Sequence, residues 1–392
     1  MRRTLPWWGF GLANLVVVCV LSLGLWYLLV DPHFHVVHDY PEPFDETLFW
    51  AIITVVFLGF NLEFHWFDRL PQPLRGVVLI LVTVAVAIGL TAVFAAWGRT
   101  DPAFSAKVPM GMGYLLPALF VLFGFFTYLT AVINWDHWPW RHLGLKQPWL
   151  GIAEIGALTG PTVVLFAFFV LPNLATWAKP GHTDIIDLPT TIGVVYSIIV
   201  VAVVTGLLTE NWPWRLAGPG GRTAVASLVG NIVLGIGLYF LFRAVVKAFI
   251  GAHAAKMLAP MINQYPAELG VCWVFWMIMW SNGFYNWPTG LSVAANYAVR
   301  IVVTLALGIG TFFLYYYVLA QHVLHEPVVA GKLAGNALGW MNWMVLMTLF
   351  FVVYLGSLGI PGEPEVSADE PERVDEVFDD HSASTGQTVQ TR

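Results

Sequence analysis

Charged residues are scarce in this sequence: Asp, Glu, Lys and Arg make up 11% of its 392 residues, whereas hydrophobic residues make up 58%. An average soluble domain is about 25% charged, so this chain has too few charges to cover a surface that faces water. The hydrophobic residues fall in long uncharged runs, most of them close to the ~20 residues that a helix needs to span a bilayer. The sequence therefore predicts an all-α, polytopic integral membrane helix bundle.

The sequence also lacks the motifs of self-contained enzymes. It has no Walker A loop, no G-x-G-x-x-G at the start of a helix, no H-E-x-x-H and no G-x-S-x-G, which argues against an ATP-driven pump or a hydrolase. Its two cysteines, Cys19 and Cys272, lie inside predicted spans and are too few for a disulfide framework or a zinc site. No Lys/Arg-rich segment indicates a nucleic-acid partner. These absences favour a protein that is not an enzyme.

Ten apolar segments are long enough to span a bilayer. They lie at about 8–30, 47–65, 75–97, 113–134, 150–171, 190–209, 223–248, 268–286, 297–320 and 335–357. The first exceeds the ~7–15 apolar residues of a signal peptide and has no small-x-small cleavage site, so it is predicted to be a retained anchor. The connections are short, and any chemistry must therefore sit in the bundle or at its two faces.

Four of these spans end in related strings that contain tryptophan. The strings are NLEFHWFDR (61–69), NWDHWPWRH (134–142), LTENWPWRL (208–216) and GFYNWPTG (283–290). Aligned on Trp66, Trp138, Trp212 and Trp287, they are 72, 74 and 75 residues apart, which indicates an internal repeat. Because each interval holds two spans, all four units have the same orientation.

The repeat divides the chain into four predicted parts. They are an anchor helix with an outer His-containing loop (1–46), four tandem helix pairs (47–330, at approximately 47–110, 111–188, 189–266 and 267–330), a C-terminal transmembrane helix (331–360), and a tail (361–392). From Glu363 onward the tail carries nine acidic and two basic residues. Its lack of apolar periodicity predicts disorder. The tail is interpreted either as a solubilising end or as a handle for a protein partner.

The positive-inside rule predicts the orientation of the bundle. With the amino terminus inside, nine Lys and Arg residues lie on the cytoplasmic side and seven on the outer side. All four arginines of the short inner turns, Arg69, Arg141, Arg215 and Arg222, fit this arrangement. We therefore predict a multi-pass protein of the plasma (inner) membrane with both termini in the cytoplasm.

The residues just before the four tryptophans are polar. These residues are His65, His137, Asn211 and Asn286, preceded in two units by Asp136 and Glu210. The Trp and Pro need no function, since Pro ends a helix and Trp prefers the headgroup layer. The polar residues would either satisfy helix ends or form a ring that binds or filters a solute on the cytoplasmic side.

Three further polar residues lie within predicted spans. Glu154 is about one turn into the fifth span, where an isolated carboxylate is costly, so it should be protonated or paired and is a candidate for proton coupling. Asn282 is interpreted as an interhelical hydrogen-bond partner and is also a candidate residue of the substrate or ion path. Arg243 lies near the outer end of the seventh span and is a candidate for anion binding, with snorkelling to the interface as the alternative.

Histidines form two groups on the predicted outer side. One group is His33, His35 and His38, after the first span, and the other is His322 and His325, at the end of the ninth. The i, i+3 spacing of the second pair puts both rings on one helical face. Histidine is the commonest metal ligand, so copper, iron, zinc or haem are alternatives, although the sequence holds no complete metal motif.

Three functions follow from these patterns. The first is a transporter or channel-like permease for a small molecule or ion, in which Glu154 would couple transport to protons. The second is a membrane-embedded metal or haem redox protein that uses the histidines. The third is an accessory or scaffolding subunit whose handle is the acidic tail.

Overall fold

The structure is a computed structural model that describes residues 5–34, 42–100, 102, 105, 107, 112–179, 181–326, 328–329, 333–334 and 336–361. Its α-helices are α1 (Trp7–Leu29), α2 (Phe44–Val55), α3 (Leu74–Ala95), α4 (Met112–Ile133), α5 (Trp149–Phe169), α6 (Leu171–Ala178), α7 (Leu188–Val203), α8 (Gly221–Met257), α9 (Tyr265–Gly283), α10 (Val293–Leu314), α11 (Ala320–His322) and α12 (Ala337–Thr348). Two short strands, β1 (Val328–Val329) and β2 (Leu333–Ala334), pair antiparallel.

Several helices continue into turns of a different width. Wider π-helical turns cover Val56–Asn61 after α2, Val204–Leu208 after α7, Tyr315–Leu319 between α10 and α11, and Leu349–Tyr354 after α12. Tighter 3₁₀ turns cover Ala96–Arg99, Trp214–Ala217 and Met261–Asn263.

Within the described part of the chain, nine helical segments are long and apolar enough to cross a bilayer, and α9 is a tenth long helix of 19 residues. The polytopic helical membrane bundle expected from the sequence is confirmed, and the protein is a multi-pass membrane protein. The largest difference from the expected spans is in α8, which continues to Met257 beyond a bend at Gly251 (φ 82°). Residues 362–392 of the predicted tail lie outside the described residues.

The long helices form two layers. Helices α2, α4, α7, α9 and α12, called the inner helices below, make a closed ring in which each contacts the next and α12 contacts α2. Helices α1, α3, α5, α8 and α10, the outer helices, pack against the outside of this ring. Apolar side chains such as Leu81, Val233 and Val302 are more than 60% exposed on the outer helices, as expected of surfaces that face lipid.

The two helices that flank the four predicted pairs lie side by side. Helix α1 packs against α9 and α12, and the backbone N–H of Leu5 donates to the carbonyl oxygen of Pro361 at 3.3 Å. The last inner helix and the first outer helix thus complete the ring as a further inner–outer pair, although they come from opposite ends of the chain.

The four Trp-containing strings share one backbone conformation. In each, two consecutive non-glycine residues have positive φ: Glu63–Phe64, Asp136–His137, Glu210–Asn211 and Tyr285–Asn286. In each pair, the N–H of the second residue donates to the carbonyl six residues earlier, at 2.7–3.1 Å. The left-handed conformation costs most residues about 1–2 kcal/mol, so these pairs are strained helix ends. We call the end of the bundle that carries them the turn face, and the opposite end the far face.

In the first string, the two residues with positive φ lie one residue earlier than the alignment on tryptophan places them. Phe64, not His65, occupies the position of His137, Asn211 and Asn286. Gly356 and Ser357, after α12, have the same positive φ and the same hydrogen bond without any tryptophan. The helix ending therefore occurs in all five inner helices. That the four helix pairs are an internal repeat remains a prediction.

Gly235 and Gly237 of α8 provide a test of the packing between the layers. A Cβ atom on Gly235 would lie 2.5 Å from the Ile198 Cα of α7, whereas one on Gly237 would meet nothing within 4 Å. We expect Gly235→Ala to destabilise the protein by about 1–3 kcal/mol through overpacking, measured by thermal unfolding in detergent. Gly237→Ala is the matched control and should be neutral or stabilising. Equal stability of the two variants would contradict the close approach of α7 and α8.

Candidate functional site

The five inner helices enclose a central cavity of about 380 Å³. It is lined by Ile52, Val56, Phe60, Phe125, Leu129, Ile133, Tyr196, Ile199, Val203, Gly206, Leu207, Glu210, Val274, Ile278, Ser281, Asn282, Asn286, Asn342, Val345 and Leu349. Its volume is in the range of small-molecule sites, about 300–1,000 Å³. Because every inner helix contributes to the lining, the cavity lies on the axis of the ring.

Polar groups are placed at the two ends of this mostly apolar cavity. Glu210, Asn282 and Asn286 line it near the turn face, and Tyr196 and Asn342 line it further towards the far face. Within the described structure, the Asn286 Oδ1 and Asn342 Nδ2 atoms are buried without a hydrogen-bond partner. Buried amide groups are nearly always hydrogen-bonded, so both are available to a bound molecule.

Asn211 and Asn286, both predicted ring residues, connect neighbouring helix ends. The Asn211 Nδ2 donates to the carbonyl of Asn134 at 2.9 Å, and the Asn286 Nδ2 donates to the carbonyl of Leu207 at 2.8 Å. These carbonyls belong to the end of the preceding inner helix, where no intrahelical donor is available. Asn286 donates to a helix end and also lines the cavity, whereas the hydrogen bond of Asn211 joins two neighbouring helix ends.

Glu154 forms a buried cluster with His137 and Asn61. Its Oε2 atom lies 2.9 Å from the His137 Nδ1 and accepts a hydrogen bond from the Asn61 Nδ2 at 2.8 Å. The side chain of Glu154 is fully buried. This cluster joins α5 to the ends of α2 and α4, and the expected partner of Glu154 is thus a residue of the turn motif. Transport through this cluster stays a prediction.

Three acidic residues of the turn face are paired with arginines. Arg141 donates to Glu63 at 2.7 Å and also to Asp136. Glu210, at the mouth of the cavity, accepts from the buried Arg300 at 3.3 Å. His65 lies outside these pairs, with its ring edge-on to Trp66. The predicted polar ring is therefore a set of links between units, of which Glu210 and Asn286 reach the cavity.

Arg243 lines a different cavity, an open one of about 750 Å³ beside the end of α8. Lys247 and Lys256 line it as well. Three cations on one cavity fit the predicted anion-binding role, and snorkelling to the headgroup layer accounts for the same placement.

The far face carries a group of carboxylates that the sequence reading missed. We call Glu42, Asp45, Glu46, Glu268 and Glu326 the far-face acidic cluster. The carboxyl group of Asp45 interacts electrostatically with those of Glu42, Glu268 and Glu326. Each of these residues stands at the start of an inner helix or in a connection, near the end of an apolar run. That signal singled out Glu154, and it would also have found Glu46 and Glu268.

Hydrogen bonds tie this cluster to the start of α12. Glu268 accepts from the Leu338 N–H at 2.8 Å, Glu326 from the Asn336 N–H at 2.6 Å, and Asp45 from the Asn336 side chain at 2.7 Å. Backbone N–H groups at a helix start have no intrahelical partner and favour negative charge. The cluster therefore caps α12. Asp45 Oδ1 and Glu46 Oε2 are buried without a partner in the described structure.

Two of the predicted histidines meet on the far face. The rings of His33 and His325 are 4.5 Å apart between centroids, and the His325 Nδ1 lies 2.8 Å from the Asp31 Oδ2. His322 is exposed at the end of α11. His35 and His38 lie outside the described residues.

No protein-family model, no curated protein and no solved structure matches this chain. What the protein does is therefore inferred from the central cavity and from the charges at its two ends. Neither feature could be predicted from the sequence, because both form only when the five inner helices come together.

Glu42, which precedes α2, provides a test of the far-face acidic cluster. Burial raises the pKa of Glu42 from 4.5 to about 7, so its carboxylate is disfavoured in the folded state. Stability should be highest below about pH 4.5 and should fall as the pH rises through 7. We expect Glu42→Gln to remove about 1–2 kcal/mol of this fall, less than the full shift because the group is partly exposed.

The measurement is thermal unfolding of both proteins in detergent between pH 5 and pH 8. Asp68→Asn is the control, because Asp68 is an exposed acid on the turn face. A wild-type profile with the same slope as that of Glu42→Gln would show that Glu42 is not buried in its protonated form.

Proposed function

We propose that this protein is a permease that moves a small solute through the central cavity between the two faces of the membrane. The observation that carries the proposal is that all five inner helices line one cavity with two buried amide atoms, the Asn286 Oδ1 and the Asn342 Nδ2, that have no hydrogen-bond partner among the described residues. Binding sites of this kind, apolar with a few placed polar groups, are typical of small-molecule sites. Paths in membrane proteins commonly run through such polar positions at membrane depth.

The lining indicates the class of solute. Most of it is aliphatic or aromatic, and its one charged residue, Glu210, is neutralised by Arg300. The free Asn286 Oδ1 offers an acceptor and the free Asn342 Nδ2 a donor. A small, uncharged, largely apolar solute with a group that both donates and accepts hydrogen bonds fits this arrangement. A cavity of 380 Å³ equals the volume of roughly a dozen water molecules at about 30 Å³ each.

The proposed orientation places the turn face in the cytoplasm of a plasma (inner) membrane. The support is the set of arginines near the four turns, which follows the positive-inside rule. The shared helix endings also support an internal repeat of helix pairs. Similar units around one axis are a common plan in transporters, with the solute site at the repeat interface.

We infer that the far end of the path is closed by aromatic side chains of the far face. Tyr265 and Tyr316 stack there with their ring centroids 5.7 Å apart, and the Tyr196 hydroxyl lies 3.5 Å from the Asn342 Oδ1. Transport therefore requires a second state in which the far face opens and the solute leaves on that side.

Cysteine accessibility tests transport without knowledge of the solute. In a background with Cys19→Ser and Cys272→Ala, we expect Asn342→Cys to react with a membrane-impermeant, cationic thiol reagent added to either side of oriented vesicles. Each side should reach Asn342 in one of the two states. Ser281→Cys, near the cavity mouth, should react faster from the turn face, and the lipid-facing Val233→Cys should react from neither side.

The labelling pattern of Asn342→Cys distinguishes a transport path from a binding pocket that opens to one side only. Labelling of Asn342→Cys from the turn face alone would show a one-sided binding site and would overturn the proposal, as would labelling from neither side. Leu129→Trp, which places a large ring in the cavity, should slow both reactions. The matched change Leu81→Trp, on a side chain that is 63% exposed on α3, should not.

We assign proton coupling to Glu268 in the far-face acidic cluster, in preference to Glu154. Glu268 is buried close to Tyr196, which lines the cavity, whereas the contacts of Glu154 are with His137 and Asn61. The titratable groups that interact electrostatically with Glu268 are Asp45, Tyr196, Tyr265, Cys272 and Tyr316, and Asp45 interacts in turn with Glu42 and Glu326. Loss of protons from several adjacent carboxyls makes them repel one another and should open the far face.

The rate of labelling of Asn342→Cys from the far face should therefore rise with pH. We expect Glu268→Gln to remove a rise of roughly tenfold, the effect of about 1.4 kcal/mol. Glu154→Gln should leave the rise in place. If Glu154→Gln removes the rise and Glu268→Gln does not, the coupling acid is Glu154. If both variants keep it, neither residue couples.

A further inference from the structure

Asp31, His33 and His325 form a compact group on the far face, away from the central cavity. Each offers one ligand atom, and the three atoms lie within 4.8 Å of one another. Asp31 follows the end of α1, and His325 follows the short helix α11. The two segments are almost 300 residues apart in the sequence, so the group exists only because the first and last parts of the chain meet.

The group is held rigidly around a buried carboxylate. Asp31 is fully buried, and its Oδ1 accepts the backbone N–H groups of His33 at 2.7 Å and Phe34 at 3.0 Å. Its Oδ2 pairs with the His325 Nδ1 at 2.8 Å. One carboxylate thus fixes the backbone at one histidine and the ring of the other.

His325 is also fixed through its backbone. It has a positive φ of 52°, and the carbonyl of the preceding Leu324 accepts a hydrogen bond from the Trp26 indole at 3.2 Å. Strained backbone of this kind persists where the surroundings determine it, and it is concentrated at functional sites.

We propose that Asp31, His33 and His325 bind a divalent transition-metal ion, with Zn²⁺ as the reference ion. Two imidazoles and a carboxylate are a donor set for ions such as zinc and iron(II). Bonds of about 2.0–2.2 Å require ligand atoms closer together than 4.8 Å, and the exposed His33 ring is free to close this gap. Three protein ligands leave an open position for water. This site does not depend on the proposed transport function.

The test uses the purified full-length protein in detergent, treated with EDTA and dialysed. Zn²⁺ binding is measured by calorimetry, and Co²⁺ binding by visible absorbance, which reports coordination. We expect one saturable Zn²⁺ equivalent, and a loss of affinity of at least about tenfold in His33→Ala and in His325→Ala. Asp31→Asn should weaken binding as well. His322→Ala, three residues from His325 but outside the group, is the matched control and should bind as the wild type does.

Thermal unfolding of each variant separates loss of the site from loss of the fold. His33 is exposed, so His33→Ala should unfold at the wild-type temperature while it binds zinc more weakly. The proposal is overturned if the wild type binds no Zn²⁺ up to millimolar concentrations. It is equally overturned if His33→Ala and His325→Ala bind Zn²⁺ as tightly as His322→Ala does.

Discussion

A helix that ends inside a packed bundle leaves its last carbonyl groups without donors, and in a membrane this is costly. Here the donors come from neighbouring units. Gln147 donates to the carbonyl of Asn61, Asn211 to that of Asn134, Arg300 to that of Leu208, and Gln72 to that of Tyr354. Four of the five inner helices, α2, α4, α7 and α12, therefore depend on a neighbouring unit to complete their ends. The ring, the cavity inside it and the paired charges at the turn face all depend on these links.

The sequence predicted much of this architecture because its signals are local. Apolar runs of about 20 residues fix the spans, and the spacing of four Trp-containing strings indicates the pairs. It could not predict the ring closure by α12 and α1, since Gly356 and Ser357 reproduce the helix ending without tryptophan. The register at Phe64 was also hidden, because the Trp that guided the alignment is displaced by one residue relative to the strained backbone.

The candidate site was likewise only partly predictable from the sequence. His137, Asn211 and Asn286 were recognised as unusual because they are polar at membrane depth, but only the structure shows which of them face a partner and which face the cavity. The far-face acids went unnoticed because they come from three segments that lie far apart in the sequence, one around the start of α2, one in α9 and one before α12. Asp45, Glu268 and Glu326 are separated by more than 50 residues from one another, and only the closed ring brings them together.

The contact between the first and last helices also constrains how the chain is assembled. Helix α1 lies far from its partners α9 and α12 in the sequence, so it is made well before it can pack against them. Until then Asn14 and Ser22, which are fully buried in the finished bundle, lack their final surroundings. Assembly thus includes a long-range docking step, and contacts of this separation are slow to form. Leu5 and Pro361 meet in the folded protein, so that α1 and α12 complete the ring of helix pairs. Until α9 and α12 have been synthesised, α1 must remain inserted in the bilayer without these partners.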